Sequence, residues 1–227
     1  MVESRSFDPI WEEKYAAGHV VNYPWDVVVS FVFRNAPRDK PRNDIRILEL
    51  GCGTGANLWF AAREGFQVAG VDGSSSAIHK AQERFQLDGL NGDLRVADFT
   101  HLPFKDNSFD LVIDRGSLVC VGFETGKKAT REVYRVLREK GRFFFNPYSD
   151  RHSSYSSGEV GSDGLVSDIS SGTMVGVGQL CFYGRQQVIA ALCNFKLLSL
   201  QHMEYAEIIE PGWMIHAEWR AIAEKIL

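Results

Sequence analysis

Residues 48–55 have the sequence Leu48-Glu49-Leu50-Gly51-Cys52-Gly53-Thr54-Gly55 and decide the fold. The apolar run before them, 46–50, predicts a buried strand, and the pattern after them, 56–64, predicts a helix. Glycines at alternate positions let the backbone pass close to a ligand and present N–H groups where the helix begins. The stretch also fits a dinucleotide fingerprint, Gly51-x-Gly53-x-x-Ala56, and a tight turn without a ligand is the structural alternative.

Outward from this loop, short apolar runs alternate with helical patterns as far as Pro147. Nearly all-apolar strands separated by helices indicate a parallel sheet that is covered on both faces. The sequence therefore predicts an α/β fold with a doubly wound, mostly parallel sheet. Further strands are predicted at 67–71, 94–97, 109–113 and 142–145, and helices at 75–87 and 124–138, with Gly141 as the C-terminal cap of the second helix.

The chain is predicted to form a single domain, residues 1–227. Pro24 opens the second helix of an N-terminal helical flap. The long Ser- and Gly-rich segment before residue 179 has little periodicity, and such a loop is typical of a lid, a binding loop or a disordered segment. The four parts are the flap 1–44, the core 45–148, a substrate lid 149–178 and a C-terminal part 179–227. The C-terminal part is predicted to contain a helix at 184–193 and strands at 196–204 and 214–221. The pattern of the last strand also fits a helix.

Composition limits the function classes. The 227 residues are 44% hydrophobic and 24% charged, which is ordinary for a soluble globular protein. The net charge is −4 and the basic residues are mixed with acidic ones, so no nucleic-acid footprint is expected. The longest apolar stretch, Trp25 to Phe33, is about half of the ~20 residues that a membrane helix needs, and no secretory signal follows Met1. The four dispersed cysteines and six scattered histidines predict reduced thiols, a cytoplasmic protein and no bound metal.

Polar residues follow several of the predicted strands. Asp72 ends the second strand, Asp98 the third, and Asp114 and Arg115 the fourth. In open α/β sheets, ligands bind beyond the carboxyl ends of the strands, where an acidic residue can accept both hydroxyls of a ribose. One such residue is often only a helix cap. Several in succession beside the glycine loop predict a nucleoside-binding edge.

These motifs resemble the core of a class I S-adenosylmethionine-dependent methyltransferase. The matching stretches are Leu48 to Gly55, Gly70-Val71-Asp72-Gly73-Ser74, Ala97-Asp98, and Leu102-Pro103-Phe104 through Phe109-Asp110-Leu111-Val112. The last stretch is similar to the small-molecule branch, which includes methyltransferases of ubiquinone and menaquinone synthesis and of tellurite resistance. The resemblance implies a seven-stranded Rossmann-like fold, S-adenosylmethionine as cofactor and S-adenosylhomocysteine as product.

The resemblance also implies roles for individual residues. Glu49, Gly51, Cys52 and Gly53 are expected at the methionine part, and Asp72 at the ribose hydroxyls. The resemblance places Gly73 and Ser74 beside the adenine, and Asp98 and Phe99 at the adenine ring. It places Asp114 and Arg115 at the methionine end and the acceptor. Trp11 and Tyr15 are expected in a helix that closes over the cofactor.

The predicted function is methyl transfer to a small-molecule acceptor by in-line displacement at an oxygen, nitrogen or carbon centre. Tyr148, Arg151, His152 and Tyr155 are expected to contact the acceptor because the lid begins at the glycine-loop edge. No spacing identifies a general base among His152, His19, Tyr148 and Asp114. Two alternatives stay open, an NAD-dependent oxidoreductase and a non-catalytic S-adenosylmethionine-binding sensor or scaffold. The sequence does not define an oligomeric state.

Overall fold

The computed structural model describes residues 6–209 and 214–226. Residues 1–5 of the predicted flap, and 210–213 and 227 of the C-terminal part, lie outside the described residues. Seven strands form one sheet in the order β3-β2-β1-β4-β5-β10-β9, as the resemblance implied. The strands of this sheet are β1 (Arg46–Leu50), β2 (Gln67–Asp72), β3 (Asp93–Val96), β4 (Phe109–Arg115), β5 (Leu137–Asn146), β9 (Lys196–Ala206) and β10 (Ile215–Glu224).

The sheet is mostly parallel. Strands β1 to β5 run parallel to one another, whereas β10 lies antiparallel to both β5 and β9. The segment 214–221, whose pattern also fitted a helix, is therefore part of a strand. This segment pairs with β9 from Ile215 onward and reaches β5 at Ala221, so pairing with distant parts of the chain decides for the strand.

Both faces of the sheet are covered because side chains alternate across each strand. Phe143 and Phe145 of β5 pack into one apolar cluster, and Phe144 packs into the other. The first cluster lies under α5 and α6, and the second under α2, α3 and α4. The helices are α1 (Ile10–Ala16), α2 (Asp26–Asn35), α3 (Ala56–Arg63), α4 (Ser75–Leu87), α5 (Phe123–Val136) and α6 (Arg185–Ala191).

The predicted cap at Gly141 is wrong. Helix α5 ends at Val136, and Leu137 already pairs with Phe109 as the first residue of β5. Lys140 adopts a left-handed conformation with φ 61°, and Gly141 continues the strand after this irregularity. A side chain at Gly141 would lie 2.8 Å from the Arg138 carbonyl oxygen, so close packing explains the glycine.

The segment 149–178 is built differently from its prediction. It contains β6 (Glu159–Val160) and β7 (Leu165–Ser167), which form a small antiparallel sheet with β8 (Leu180–Cys181). Val166, Ile169 and Met174 are buried in the first apolar cluster. The segment therefore buries more apolar surface than its polar composition suggested, because short strands place these side chains against the core.

Helices α1 and α2 occupy the predicted flap. Glu12 of α1 accepts hydrogen bonds from the Ser74 and Ser76 hydroxyls at the start of α4, and Lys80 donates to the Tyr15 carbonyl oxygen. These contacts hold α1 against α4 above the carboxyl ends of β1 and β2. Within the described part of the chain, no helix is both long and apolar enough to cross a membrane.

Candidate functional site

A cavity of about 520 Å³ opens at the carboxyl ends of β1 to β4, under the flap. We call it the glycine-loop cavity. The predicted cofactor-binding residues that line it are Trp11, Tyr15, Glu49, Gly51, Cys52, Gly53, Asp72, Gly73, Asp98, Phe99 and Arg115. The strand order explains this convergence, since the ends of β1, β2, β3 and β4 meet at one edge of the sheet.

The glycine loop has a backbone conformation that residues with a side chain rarely adopt. Gly51 and Gly53 have φ of 56° and 52°, in the left-handed region. A Cβ at Gly51 would collide with the Ser117 side chain, and one at Gly53 would lie 2.7 Å from the Tyr15 hydroxyl oxygen. The backbone therefore passes between the turn after β4 and the flap with no room for side chains.

Glu49 is a buried carboxyl group beside the loop. Its Oε1 accepts a hydrogen bond of 2.6 Å from Asn57 Nδ2 of α3, while Oε2 is buried without a hydrogen-bond partner among the described residues. Burial raises the pKa of Glu49 to about 8, even though the hydrogen bond from Asn57 opposes the shift. An unpaired buried carboxyl oxygen in a cavity wall suits a cationic ligand group.

Asp72 connects the glycine loop to α4. Its Oδ2 accepts from the Gly53 backbone N–H and its Oδ1 from that of Ser74, both at 2.8 Å. Burial raises the pKa of Asp72 and these two hydrogen bonds oppose the rise. Ser74, which was predicted to lie beside an adenine, instead caps α4 by accepting from the Ala77 N–H.

Asp98 lies at the third strand end. Its Oδ1 accepts from the Thr100 N–H at 2.7 Å, and its Oδ2 accepts from the Ser6 hydroxyl at 2.5 Å. Burial works to raise the pKa of Asp98, but the hydrogen bonds from Ser6 and Thr100 outweigh it and lower the pKa. The neighbouring Phe99 ring is buried and lines the same part of the cavity.

Asp114 and Arg115, at the end of the fourth strand, have different roles. Asp114 is fully buried, and its Oδ1 accepts from the Ser117 and Leu118 N–H groups, so it fixes the turn after β4 rather than lining the cavity. The Arg115 guanidinium lies 4.2 Å from the centre of the Trp25 ring and faces the cavity. Sequence reasoning missed Trp25, which follows Pro24 at the start of α2.

A second cavity of about 460 Å³ shares Trp25, Arg115 and Tyr148 with the first. We call it the hairpin cavity because strands β9 and β10 form its far wall. The residues of its wall that the sequence did not identify include Met174, Tyr205, His216, Glu218 and Arg220. Three of them occupy alternate positions of β10, so they share one strand face, and that alternation was a signal in the sequence.

The predicted acceptor residues are placed unequally. Tyr148 lines both cavities. Arg151 forms an exposed ion pair with Glu204 at 2.7 Å, and Tyr155 packs on the Phe182 ring. His152 is buried in the core, and burial lowers its pKa to about 4, so it is a neutral core histidine at pH 7. Across residues 6–209 and 214–226, no cluster of three or more metal-ligating side chains is found.

Comparison with known proteins identifies the core of the chain. Residues 47–141 match the family model described as a methyltransferase domain. The chain is 33% identical over 100 residues to the methyltransferase GfsG of Streptomyces halstedii, covering 43% of this chain and 35% of that protein. It is 30% identical over 131 residues to norajmaline N-methyltransferase of Rauvolfia serpentina, covering 56% of this chain and 43% of the plant enzyme. The matched segments span about two fifths of the length of the first curated relatives.

The solved structures agree in fold. A structure of an S-adenosylmethionine-dependent methyltransferase from Methanosarcina mazei superposes with a TM-score of 0.71, 90% of this chain and 99% of that chain being covered. At 20% identity this likeness shows the fold alone. Residues 47–141 therefore match a methyltransferase domain, and the chain has the Rossmann-like fold of solved S-adenosylmethionine-dependent methyltransferases. The cofactor of this class is S-adenosylmethionine.

Proposed function

We propose that this protein transfers the methyl group of S-adenosylmethionine to a small-molecule acceptor. The observation that carries the proposal is the chemistry of the glycine-loop cavity, where Glu49, Asp72 and Asp98 face one ligand space at successive strand ends. Arg115 is the one lysine or arginine among the described residues of its wall. A cavity richer in carboxyl groups than in cations suits a ligand with a sulfonium and an ammonium group.

The residues fit the cofactor group by group. The unpaired Oε2 of Glu49 is a free acceptor for the methionine ammonium, and the glycine cradle leaves space for the methionine chain. Asp72 keeps lone pairs for the ribose hydroxyls beyond the two amides it already holds. Asp98 and Phe99 offer an acceptor and a ring face to the adenine. Trp11 and Tyr15 close the cavity from the flap.

Catalysis then rests on alignment. When bound, S-adenosylmethionine supplies a methyl group that is already activated by its sulfonium. The chain has to hold the acceptor atom in line and keep water out, and positioning alone can lower the barrier by several kcal/mol. Arg115 and Tyr148 line both cavities, so they border the place where donor and acceptor meet.

Other features support the finer parts of the proposal. Thr173 and Met174 line the hairpin cavity, which favours a role for segment 149–178 as a cover over the acceptor. The cavity volume suits a small molecule rather than a polymer. All four cysteines are free thiols, which favours a reducing, cytoplasmic location.

The NAD-dependent alternative fits less well. A dinucleotide diphosphate needs N–H groups and cations, whereas four carboxyl groups line this cavity. Calorimetric titration with S-adenosylmethionine, S-adenosylhomocysteine and NAD tests the choice. We expect both adenosyl ligands to bind and NAD to bind at least about tenfold more weakly. Tighter binding of NAD would overturn the proposal.

Turnover separates an enzyme from a sensor. Release of S-adenosylhomocysteine is measured over a panel of small acceptors that differ in nucleophile and charge. We expect release to depend on one group of acceptors and to be lost in Asp72→Ala. Cofactor binding without release for any acceptor in the panel would favour the non-catalytic sensor.

A further inference from the structure

The hairpin cavity is continuous with the wall of the glycine-loop cavity. Trp25, Arg115 and Tyr148 belong to both, and β9, β10 and the segment around Met174 enclose the other side. A molecule in this second space would lie against the end of the first where Arg115 stands. This placement makes the hairpin cavity the approach route for an acceptor, if the proposed function holds.

The charges inside the hairpin cavity do not balance. Glu218 is buried and accepts from Arg220 Nε at 2.7 Å, while Arg115 Nη2 lies 3.6 Å from its Oε2. Burial works to raise the pKa of Glu218, but the hydrogen bond from His216 and the charges of Arg115 and Arg220 lower it to about 2. One carboxylate therefore faces two permanent cations.

The other charged group of the wall does not restore the balance. Asp26 lies in the first turn of α2 and is exposed at the rim, where solvent and salt screen its charge. His216 Nε2 lies 3.5 Å from Glu218 Oε2 and brings no negative charge to the wall. Burial raises the pKa of Tyr148, so its phenol adds no negative charge at pH 7. The interior of the cavity therefore has an excess of positive charge.

Arg115 also has an unused donor. Its side chain is 8% exposed, and its Nε is buried without a hydrogen-bond partner among the described residues. A buried N–H without a partner is unfavourable, so a ligand that brings an acceptor to this guanidinium is favoured. The guanidinium carbon lies 4.2 Å from the centre of the Trp25 ring, and this cation–π contact restrains the side chain.

We infer that the hairpin cavity is the acceptor site and that the acceptor is a small organic acid. The carboxylate of the acceptor binds between Arg115 and Arg220, which share Glu218 and leave a positive charge uncompensated. Its apolar or aromatic part lies against Trp25, Tyr148 and Met174. This inference rests on the proposed methyl transfer and adds the chemical class of the substrate.

Arg220 separates acceptor binding from cofactor binding. Arg115 lines both cavities, so a change there alters both ligands. Arg220 lines the hairpin cavity, is anchored by Glu218 and by the Tyr205 hydroxyl at 3.1 Å, and faces no part of the described wall of the glycine-loop cavity. Its replacement is expected to leave S-adenosylhomocysteine affinity within about twofold.

The test uses benzoate and its neutral isostere benzamide as probes. Saturation-transfer NMR measures the affinity of each for the full-length protein saturated with S-adenosylhomocysteine. We expect benzoate to bind saturably and at least about tenfold more tightly than benzamide, because charge-assisted hydrogen bonds are the stronger ones. Arg220→Gln should weaken benzoate binding about tenfold, and the exposed Arg185→Gln on α6 should leave it unchanged.

Each outcome decides one of the two proposals. Equal affinity for benzoate and benzamide, or full benzoate affinity in Arg220→Gln, overturns the acid class while methyl transfer stands. Failure of S-adenosylhomocysteine to bind the unmodified protein overturns the proposed function and this inference together. If Arg220→Gln does not fold, Arg220→Lys is used in its place. Lysine keeps the positive charge but lacks the paired N–H donors of the guanidinium, so benzoate affinity should fall about threefold.

Discussion

The two cavities of this molecule meet at Arg115 and are built in opposite ways. The glycine-loop cavity takes its polar groups from consecutive strand ends, and these are mostly carboxyl groups such as Glu49 and Asp72. The hairpin cavity takes its groups from distant segments and has an excess of arginine over buried carboxylate. A cationic donor and an anionic acceptor would each be attracted to its own side. The difference indicates that charge, as well as shape, separates the two ligands.

The strongest test of the acidic side is Asp72→Ala. The ribose hydroxyls would lose a charged acceptor in a buried place, so we expect cofactor affinity to fall by about 2–3 kcal/mol, or about 30- to 150-fold. Calorimetric titration with S-adenosylhomocysteine measures this loss. Asp72 also holds the Gly53 and Ser74 amides, so the melting temperature should fall as well.

Asp93→Ala is the matched control for that variant. Asp93 lies in β3, pairs with Arg95 on the surface, and has a half-exposed side chain. We expect it to retain full affinity. Unchanged affinity in Asp72→Ala would remove Asp72 from the ribose site and leave it as a structural link between the glycine loop and α4.

The sequence predicts one side of this comparison much better than the other. Asp72 and Asp98 could be found because a local pattern, an apolar strand followed by an acidic residue, fixes their position in an α/β sheet. Glu218 and Arg220 depend on pairing of β10 with strands far away in the chain. Their alternation indicates a strand face but not which residues that face will meet.

The buried apolar residues of segment 149–178 could not be predicted for a related reason. Its strands are only two or three residues long, too short for a periodic pattern to show in a Ser- and Gly-rich background. Val166 and Ile169 are isolated apolar residues in the sequence, yet tertiary contacts bury both of them. The wrong prediction of a cap at Gly141 has a similar cause. Leu137 pairs with Phe109 of β4, so helix α5 ends earlier than the apolar periodicity of its sequence predicts.

Ile169→Ala tests whether this segment is part of the core on the hairpin side. Deleting buried methylene groups from a packed site costs transfer and cavity energy, and we expect a loss of about 2 kcal/mol in the free energy of unfolding. Chemical denaturation measures it. Val175→Ala, at a position that is 55% exposed in the same segment, should change stability by less than about 0.5 kcal/mol. Equal and negligible effects of both changes would return the segment to the mobile lid that the sequence predicted.

Asp98→Ala tests the adenine end of the acidic side. One amino group loses its acceptor, so we expect S-adenosylhomocysteine affinity to fall by about 1–2 kcal/mol. The Ser6 hydroxyl already donates to the same carboxylate and competes with an adenine, so Ser6→Ala should leave affinity unchanged or slightly higher. A lower melting temperature with full affinity would show that Asp98 acts only as the cap of the Thr100 turn.

The smallest expected effect is the pH dependence that Glu49 gives to cofactor binding. Its pKa of about 8 means that the free protein holds this carboxyl group mostly protonated at pH 6.5. A bound ammonium group favours the ionised form and lowers that pKa, so binding releases a proton and the association constant rises with pH. At higher pH the α-amine of the cofactor loses its own proton, and affinity falls again.

We therefore expect a maximum near pH 8, with the association constant of S-adenosylhomocysteine about fivefold higher there than at pH 6.5. Calorimetry in buffers of different ionisation enthalpy should also detect the released proton at pH 6.5. Glu49→Gln keeps the hydrogen bond to Asn57 but cannot ionise, so its affinity should be lower and the rising limb should disappear. If the association constant of Glu49→Gln still rises with pH, the released proton comes from another group of the cavity. Asp72 is the next candidate because burial raises its pKa too. The comparison between an acidic donor side and a basic acceptor side would then rest on Asp72 rather than on Glu49.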